Sequence, residues 1–448
     1  MTEQQVRWTA EQVLALAPDE ASRKAGGKLG SAGPWSRTGG SASGSVWGLC
    51  KGSGSTPYRT VVDLTGPAYK CSCPSRKFPC KHALGLLLLW AAEGLGEAAE
   101  APDWAGEWLA ERAAKAARPA AASGSAGAPA DPEAARRRAE RRAARIGAGV
   151  SELEQRLADL VRGGLAGQEA AGYAQWEETA ARMVDAQAPG LAARVRELGT
   201  IPSSGAGWPG RMLEECALLH LLDRAWLGVA ALPEPLAATV RARVGLPGAV
   251  AGAAVRDHWL VLAQHDSVSP DGRLTTRRIW LRGLESGRPA LVLDFGPPGR
   301  PPQLALPVGL VLDAQARFRP GGAGLRAELG ERFAAPVPFP HAPAGVSTGE
   351  ALDAYGAALR EDPWLDAWPV VLGQVVPIPG EHGWQLADAE GKSALPVPPS
   401  GARTRSGLWQ LAALSGGGPV TVFGECGHRG FTPLTAWAPD TAEPVALG

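Results

Sequence analysis

Residues 69–90, YKCSCPSRKFPCKHALGLLLLW, place Cys71, Cys73, Cys80 and His82 within twelve positions. Three thiolates and one imidazole this close together suit a single zinc ion, which in structural sites prefers a closed tetrahedron of sulfur and nitrogen. Cys71 and Cys73 alternate around Ser72 at the end of a strand-like run, and the loop from Pro74 to Pro79 lets the chain fold back. Cys80 and His82 then present the second pair at the start of a helix. Pro79 fits just ahead of that helix, where its missing N–H would have been unsatisfied anyway. The rival accounts are a chance cluster of reduced, buried cysteines and a disulfide framework. Cys71 and Cys73 are too close to bridge each other easily, and nothing marks the chain as secreted.

The pattern Cys71-Ser-Cys73, six residues, Cys80-Lys-His82 resembles the SWIM zinc fingers, whose motif is Cys-x-Cys, a variable gap, then Cys-x-His. The resemblance covers all four ligand positions and implies one structural zinc per chain in a short β-sheet followed by a helix. It also implies an interaction module for nucleic acid or protein, and no catalysis. Bacterial proteins of this look are often encoded near AAA-type ATPases and von Willebrand A-type proteins, so the resemblance suggests such partners. Cys50 stands outside the four matched positions and reads as a buried hairpin cysteine.

Around this stretch the charge is uneven. The whole chain of 448 residues balances 45 Lys+Arg against 45 Asp+Glu, but residues 1–90 carry 11 basic and 5 acidic side chains. Lys24, Lys28, Lys51, Lys70, Lys77 and Lys81 all lie there, whereas positive charge elsewhere is nearly all Arg. A basic surface near the finger follows from that bias. The ligand pairs enclose Ser75, Arg76, Lys77 and Phe78, flanked by Lys70 and Lys81. Cations there can meet phosphates, and an exposed ring can stack on a base. The plainer account packs Phe78 on the finger helix and leaves the charges to solvate it.

The predicted architecture is α+β and multidomain: a β-hairpin/helix finger, a central all-α domain and a β-rich C-terminal region. Residues 8–30 read as one or two short helices stopped at Gly26-Gly27, packing on the finger. Residues 38–45 read as a Gly/Ser loop, 46–50 and 58–64 as a hairpin, and 68–71 as a third strand. The helix after His82 is apolar nearly all round, so the N-terminal helices or the chain out to about residue 116 must cover it. The finger core is placed at about 46–92 within an N-terminal unit 1–117, and 118–130 reads as a flexible linker.

A helical domain is expected over 131–246. Asp131-Pro132-Glu133 starts an arginine-rich helix, with Arg138, Arg142 and Arg145 on one side, and Ser151 with Glu154 looks like the capping box of another. Helical periodicity continues over 168–187, 189–198, 209–231 and 234–243. Cys216 and His220, four apart among leucines, read as core rather than as a ligand pair. Over 247–448, β-prone runs begin at His258, Arg278, Ala290 and Val370, with one helix near 348–360 and later strands at 408–414, 420–424 and 434–438. Two β subdomains around that helix are the expectation.

Catalytic signals do not stand. Gly205–Gly210 spells G-x-G-x-x-G but lies between helices, Gly391-Lys392-Ser393 lacks the upstream glycine of a phosphate loop, and Cys426-Gly-His428 has no partner pair. The chain reads as a non-enzyme. An enzyme in the C-terminal half is the remote alternative, one that only converging Asp, Glu or His side chains would reveal. No signal peptide is evident, and the longest apolar run, residues 83–92, falls short of the ~18 residues of a membrane span, so the expectation is a cytoplasmic protein.

Overall fold

The computed structural model describes residues 7–41, 44–52, 54–75, 77–95, 100–117, 131–246, 253–269, 272–297, 302, 304–381, 383–398 and 402–447. Arg76 and the proposed linker 118–130 fall outside them. The described residues form eleven α-helices and three antiparallel sheets, a mixed α and β architecture of the expected kind.

The N-terminal part is α1 (Ala10–Leu14), α2 (Glu20–Gly27), β1 (Trp35–Ser41), β2 (Ser45–Cys50), β3 (Tyr58–Asp63), β4 (Ala68–Cys71) and α3 (Lys81–Ala91). The strands pair in the order β1-β2-β3-β4. Strand β1 takes up residues 38–41 of the expected Gly/Ser loop. Gly39 and Gly40 are poor strand formers, but pairing opposite Trp47 and Val46 overrides propensity. Period-two alternation then splits the sheet's apolar residues: Val46 and Val62 face α3, while Trp47 and Val61 face the opposite side.

Every side chain of α3 from His82 to Trp90 is buried, as its all-round apolarity demands. Helices α1 and α2 cover it, and α4 (Asp103–Ala117) instead packs Trp104, Ala105 and Trp108 on the sheet's other face. The approach of α2 to α3 depends on glycine. A Cβ on Gly26 would lie 2.7 Å from the Leu84 Cβ, and one on Gly85 2.5 Å from the Leu29 Cβ. Trp8 meets the Trp90 ring edge-on at 5.6 Å and donates its indole N–H to Pro336 O, tying the finger to the distant β region.

The helical part comprises α5 (Pro132–Gly163), α6 (Gln168–Asp185), α7 (Pro189–Leu198), α8 (Trp208–Leu227) and α9 (Glu234–Val244). Asp131 caps α5, accepting from Ala134 N at 2.9 Å, with Pro132 in the first turn. Ser151, expected to start a second helix, instead lies inside α5 and donates its hydroxyl to Gly147 O. Ile146, Val150, Leu153 and Leu157 continue one buried stripe through that point, so burial carries the helix past a local capping signal.

The second sheet runs β10 (Val337–Pro338), β8 (Leu310–Phe318), β5 (Val255–Val268), β6 (Thr275–Gly283) and β7 (Pro289–Gly296), with β9 (Ala327–Arg332) also on β8. The third runs β13 (Ala394–Val397), β12 (Gly383–Asp388), β11 (Ala367–Gly380), β14 (Val420–Gly427), β15 (Gly430–Trp437) and β16 (Pro444–Ala446). Strand β5 is buried on both faces: Trp259 and Val261 enter one core, while Leu260 and Leu262 enter another shared with the third sheet. That explains the unbroken run Trp-Leu-Val-Leu-Ala. Helix α10 (Thr348–Glu361) begins at the Ser347/Glu350 capping box. Residues 408–414, expected as a strand, belong instead to α11 (Ala402–Ser415), so the described residues of this region include a second α-helix. Leu408 and Leu411, three apart, are buried while Trp409 is exposed, which is helical spacing.

Candidate metal centre and its basic rim

Strand β4 ends on Cys71, Cys73 follows after one residue, Cys80 is the N-cap of α3, and His82 sits in that helix's first turn. Their ligand atoms lie within 4.8 Å of one another. Cys71 Sγ is 3.7 Å from His82 Nδ1 and 3.3 Å from Thr60 Oγ1. Beyond β4 the ladder is prolonged by Ser72 N donating to Arg59 O and by Arg59 N donating to Ser72 Oγ, which fixes the turn between the first two ligands. The Tyr58 ring lies 4.7 Å from that of His82 and holds the imidazole from one side.

Cys80 and His82 are buried, and Cys71 and Cys73 half-buried. The contact from Cys80 holds the Cys71 thiol well below its usual range, at about 4, while the same contact and burial push Cys80 upward. A cluster that already favours one thiolate and crowds two more thiols beside it is suited to a divalent cation, which takes all three as thiolates. Three sulfurs and one imidazole, with four ligands and little exposure, are the donor set of a closed structural zinc site. Cys50 is fully buried outside the cluster, and burial raises its pKa.

The expected binding residues divide. Lys70, Lys77, Phe78 and Lys81 are exposed, and Phe78 leaves 39% of its surface free instead of packing fully on α3. Lys77 is less free than its sequence suggests, because its Nζ sits 2.5 Å from Asp19 Oδ2 at the N-cap of α2. That ammonium holds the Asp19 carboxyl down at about 2. A cavity of about 550 Å³ opens beside the cluster, lined by Cys73 and His82 and by Lys51, Lys77 and Lys81. Lys51 joins this lining, and Lys24 and Lys28 line an adjoining cavity. Their only sequence signal was the crowding of lysines before residue 90.

The remaining candidates stay apart. Cys216 is buried in the bundle core, but His220, expected in the core as well, is exposed and pairs with Glu154 at 2.8 Å. Cys426 is buried in β14, and His428 Nε2 lies 2.8 Å from Glu214 on α8. Gly205–Gly207 forms the turn into α8, and Trp208, Pro209 and Gly210 open the helix itself. At Gly391-Lys392-Ser393, the N–H groups of Lys392 and Ser393 donate to the Asp388 carboxylate, so they are not turned to a phosphate.

Residues 58–91 match the family model of the SWIM zinc finger, and residues 141–244 match that of the SWIM-associated four-helix bundle domain. The second match begins inside α5 and ends with α9. Comparison with curated proteins and with solved structures gives no match. The finger match contains all four clustered ligands, and such fingers bind zinc and mediate contacts with nucleic acid or protein. The chain thus carries a SWIM zinc finger followed by the helical bundle domain associated with it.

Proposed function

We propose that this protein is a nucleic-acid-binding protein whose SWIM finger, built on one structural zinc, meets phosphates through Lys70, Arg76, Lys77 and Lys81, with Phe78 available to stack. The carrying observation is that Lys51, Lys77 and Lys81 line the same cavity as Cys73 and His82, so the metal cluster and the cations form one surface. Zinc, when bound, locks β4 to the start of α3. The chain's own role is then to hold ammonium groups at fixed positions, and affinity comes from counterions released by each phosphate contact.

The test is a fluorescence-anisotropy titration of labelled oligonucleotides at several salt concentrations, using the zinc-loaded full chain and an Arg76→Gln/Lys81→Gln variant. Lys77 is left in place because Asp19 already engages it. Loss of two phosphate contacts lowers the logarithmic salt slope by about 1.5. An unchanged slope in a zinc-loaded variant removes the loop from the binding surface.

A second reading makes the protein an adaptor for protein partners, an AAA-type ATPase and a von Willebrand A-type protein among them. What favours it is an apolar stripe on α8: Leu213, Leu221 and Leu227 are each about half exposed. Absence of any nucleic-acid binding by the wild-type chain would decide for this reading.

A further inference from the structure

The cavity beside the zinc cluster does not end at the finger. A second cavity of about 480 Å³ adjoins it, sharing Ala21, Ala25, Leu29 and Lys81, and adds Lys24 and Lys28. Together they form a slot between α2 and the finger. Ala21, Ala25, Leu29 and Tyr58 give it a small apolar lining, and Lys24, Lys28, Lys51 and Lys81 stand round it, with Lys77 engaged by Asp19. Among the described residues, no carboxylate lines either cavity. Asp19, the nearest acid in the chain to these residues of α2 apart from Glu20, is occupied by Lys77 and the Ser22 N–H, and Glu20 faces Arg23.

Resting on the nucleic-acid reading above, we propose that this slot is a seat for single-stranded nucleic acid, with α2 as one wall. Three observations carry it. First, cations come from both walls of a concave space. A duplex offers its phosphates on a broad convex surface, whereas one unpaired strand can enter a slot and meet ammonium groups on either side. Second, the slot is amphipathic, with apolar side chains beneath a cationic rim, which matches bases below and phosphates above. Third, Lys24 in the last turn of α2 and Lys28 at its C-cap are four residues apart, so helical spacing makes them neighbours along one side of the slot. One helical turn separates them, about 5–6 Å between Cβ atoms, and their long stems can follow successive phosphates of an extended strand.

The experiment compares a labelled 12-nucleotide oligothymidine, an oligouridine of the same length and a 12-base-pair duplex. Each is titrated by anisotropy into the zinc-loaded full chain and into Lys24→Gln/Lys28→Gln. Both single strands are expected to bind more tightly than the duplex. The double variant should lose single-strand affinity by on the order of 20-fold at 0.1 M salt, with the salt slope falling by about 1.4. Zinc content and melting check that the variant folds. Ala21→Trp fills the exposed floor without changing charge. It should weaken single-strand binding while leaving the salt slope as it was. If Arg76→Gln/Lys81→Gln weakens binding and Lys24→Gln/Lys28→Gln does not, the slot is overturned and the finger reading stands. A preference for the duplex also overturns the slot. No binding by the wild type overturns both.

Discussion

The finger and the helical bundle solve the same problem with different means. In the finger, four ligands from one twelve-residue stretch hold a small sheet to a single helix. In the bundle, Ile146, Leu153, Met183, Leu191, Leu219 and Val240 come from five helices, and no cluster of possible metal ligands lies among its described residues. The first arrangement adds one chemical event to a small apolar core, and the second relies on many weak contacts alone. A concentrated device leaves surface residues free for other work, but it fails all at once.

Removing the metal is the sharpest way to break this contrast. Structural zinc contributes on the order of 10 kcal/mol or more to domains that fold around it. Chelation, or Cys73→Ala with Cys80→Ala, should abolish zinc binding and hydrogen-exchange protection over β2 to α3. Protection of α5 to α9 should persist. Simultaneous loss in both regions would show that the two are one cooperative unit.

Next in size is the seam between bundle and third sheet. Trp364 belongs to the loop after α10 yet is buried in the bundle core, donating its indole N–H to Leu218 O at 2.9 Å. Arg243 reaches the fully buried Asp362 beside it. Trp364→Ala should cost about 3–5 kcal/mol and separate the unfolding transitions of bundle and sheet, read by urea denaturation with exchange mass spectrometry. A single undivided transition would show that the seam has other anchors.

A third effect, spread over several pH units, sharpens the picture of the bundle itself. Asp223 on α8 is fully buried with neither oxygen partnered, and burial, with Glu154 adding to it, pushes its pKa from 3.8 to about 8. Its folded value lies above the unfolded one, so the folded state retains a proton that the unfolded state releases. The contribution is complete below about pH 4 and is lost as pH rises through about 8, at up to about 1.4 kcal/mol per pH unit. Exchange protection of α8 amides should therefore fall between pH 5 and 8, and Asp223→Asn should flatten that dependence. A wild-type profile already flat would mean that the carboxyl finds a partner in solution.

How legible each region was follows from the same contrast. The finger could be read because its chemistry is local: ligand types, spacing and a following apolar helix all fall within 69–90. The bundle's helices were legible from period, but Ser151 misled, since a capping pattern reports only its own turn and the buried stripe on both sides decides. Leu408, Leu411 and Leu414 gave a short apolar run between glycines that fits a strand or a helix, and only packing against the third sheet selects α11. The strand β1 rests on pairing that no property of Gly39 or Gly40 announces. The slot was least visible, because its lysines come from α2 and its C-cap, the end of β2, the finger loop and the start of α3, which are neighbours only after folding.

The finger is attached to the β region at more than one point. Besides the Trp8 tie, Arg332 at the end of β9 donates to Thr65 O, and a Cβ on Gly66 would fall 1.7 Å from its guanidinium. Arg112 of α4 closes the same corner through Asp63 and Gly66 O. The finger is thus keyed into the second sheet like a tenon, and glycine at 66 is the clearance that lets the joint seat. Whatever the finger contacts is therefore met at a fixed angle to the second sheet, because the side chains of Trp8, Arg332 and Arg112 hold the joint.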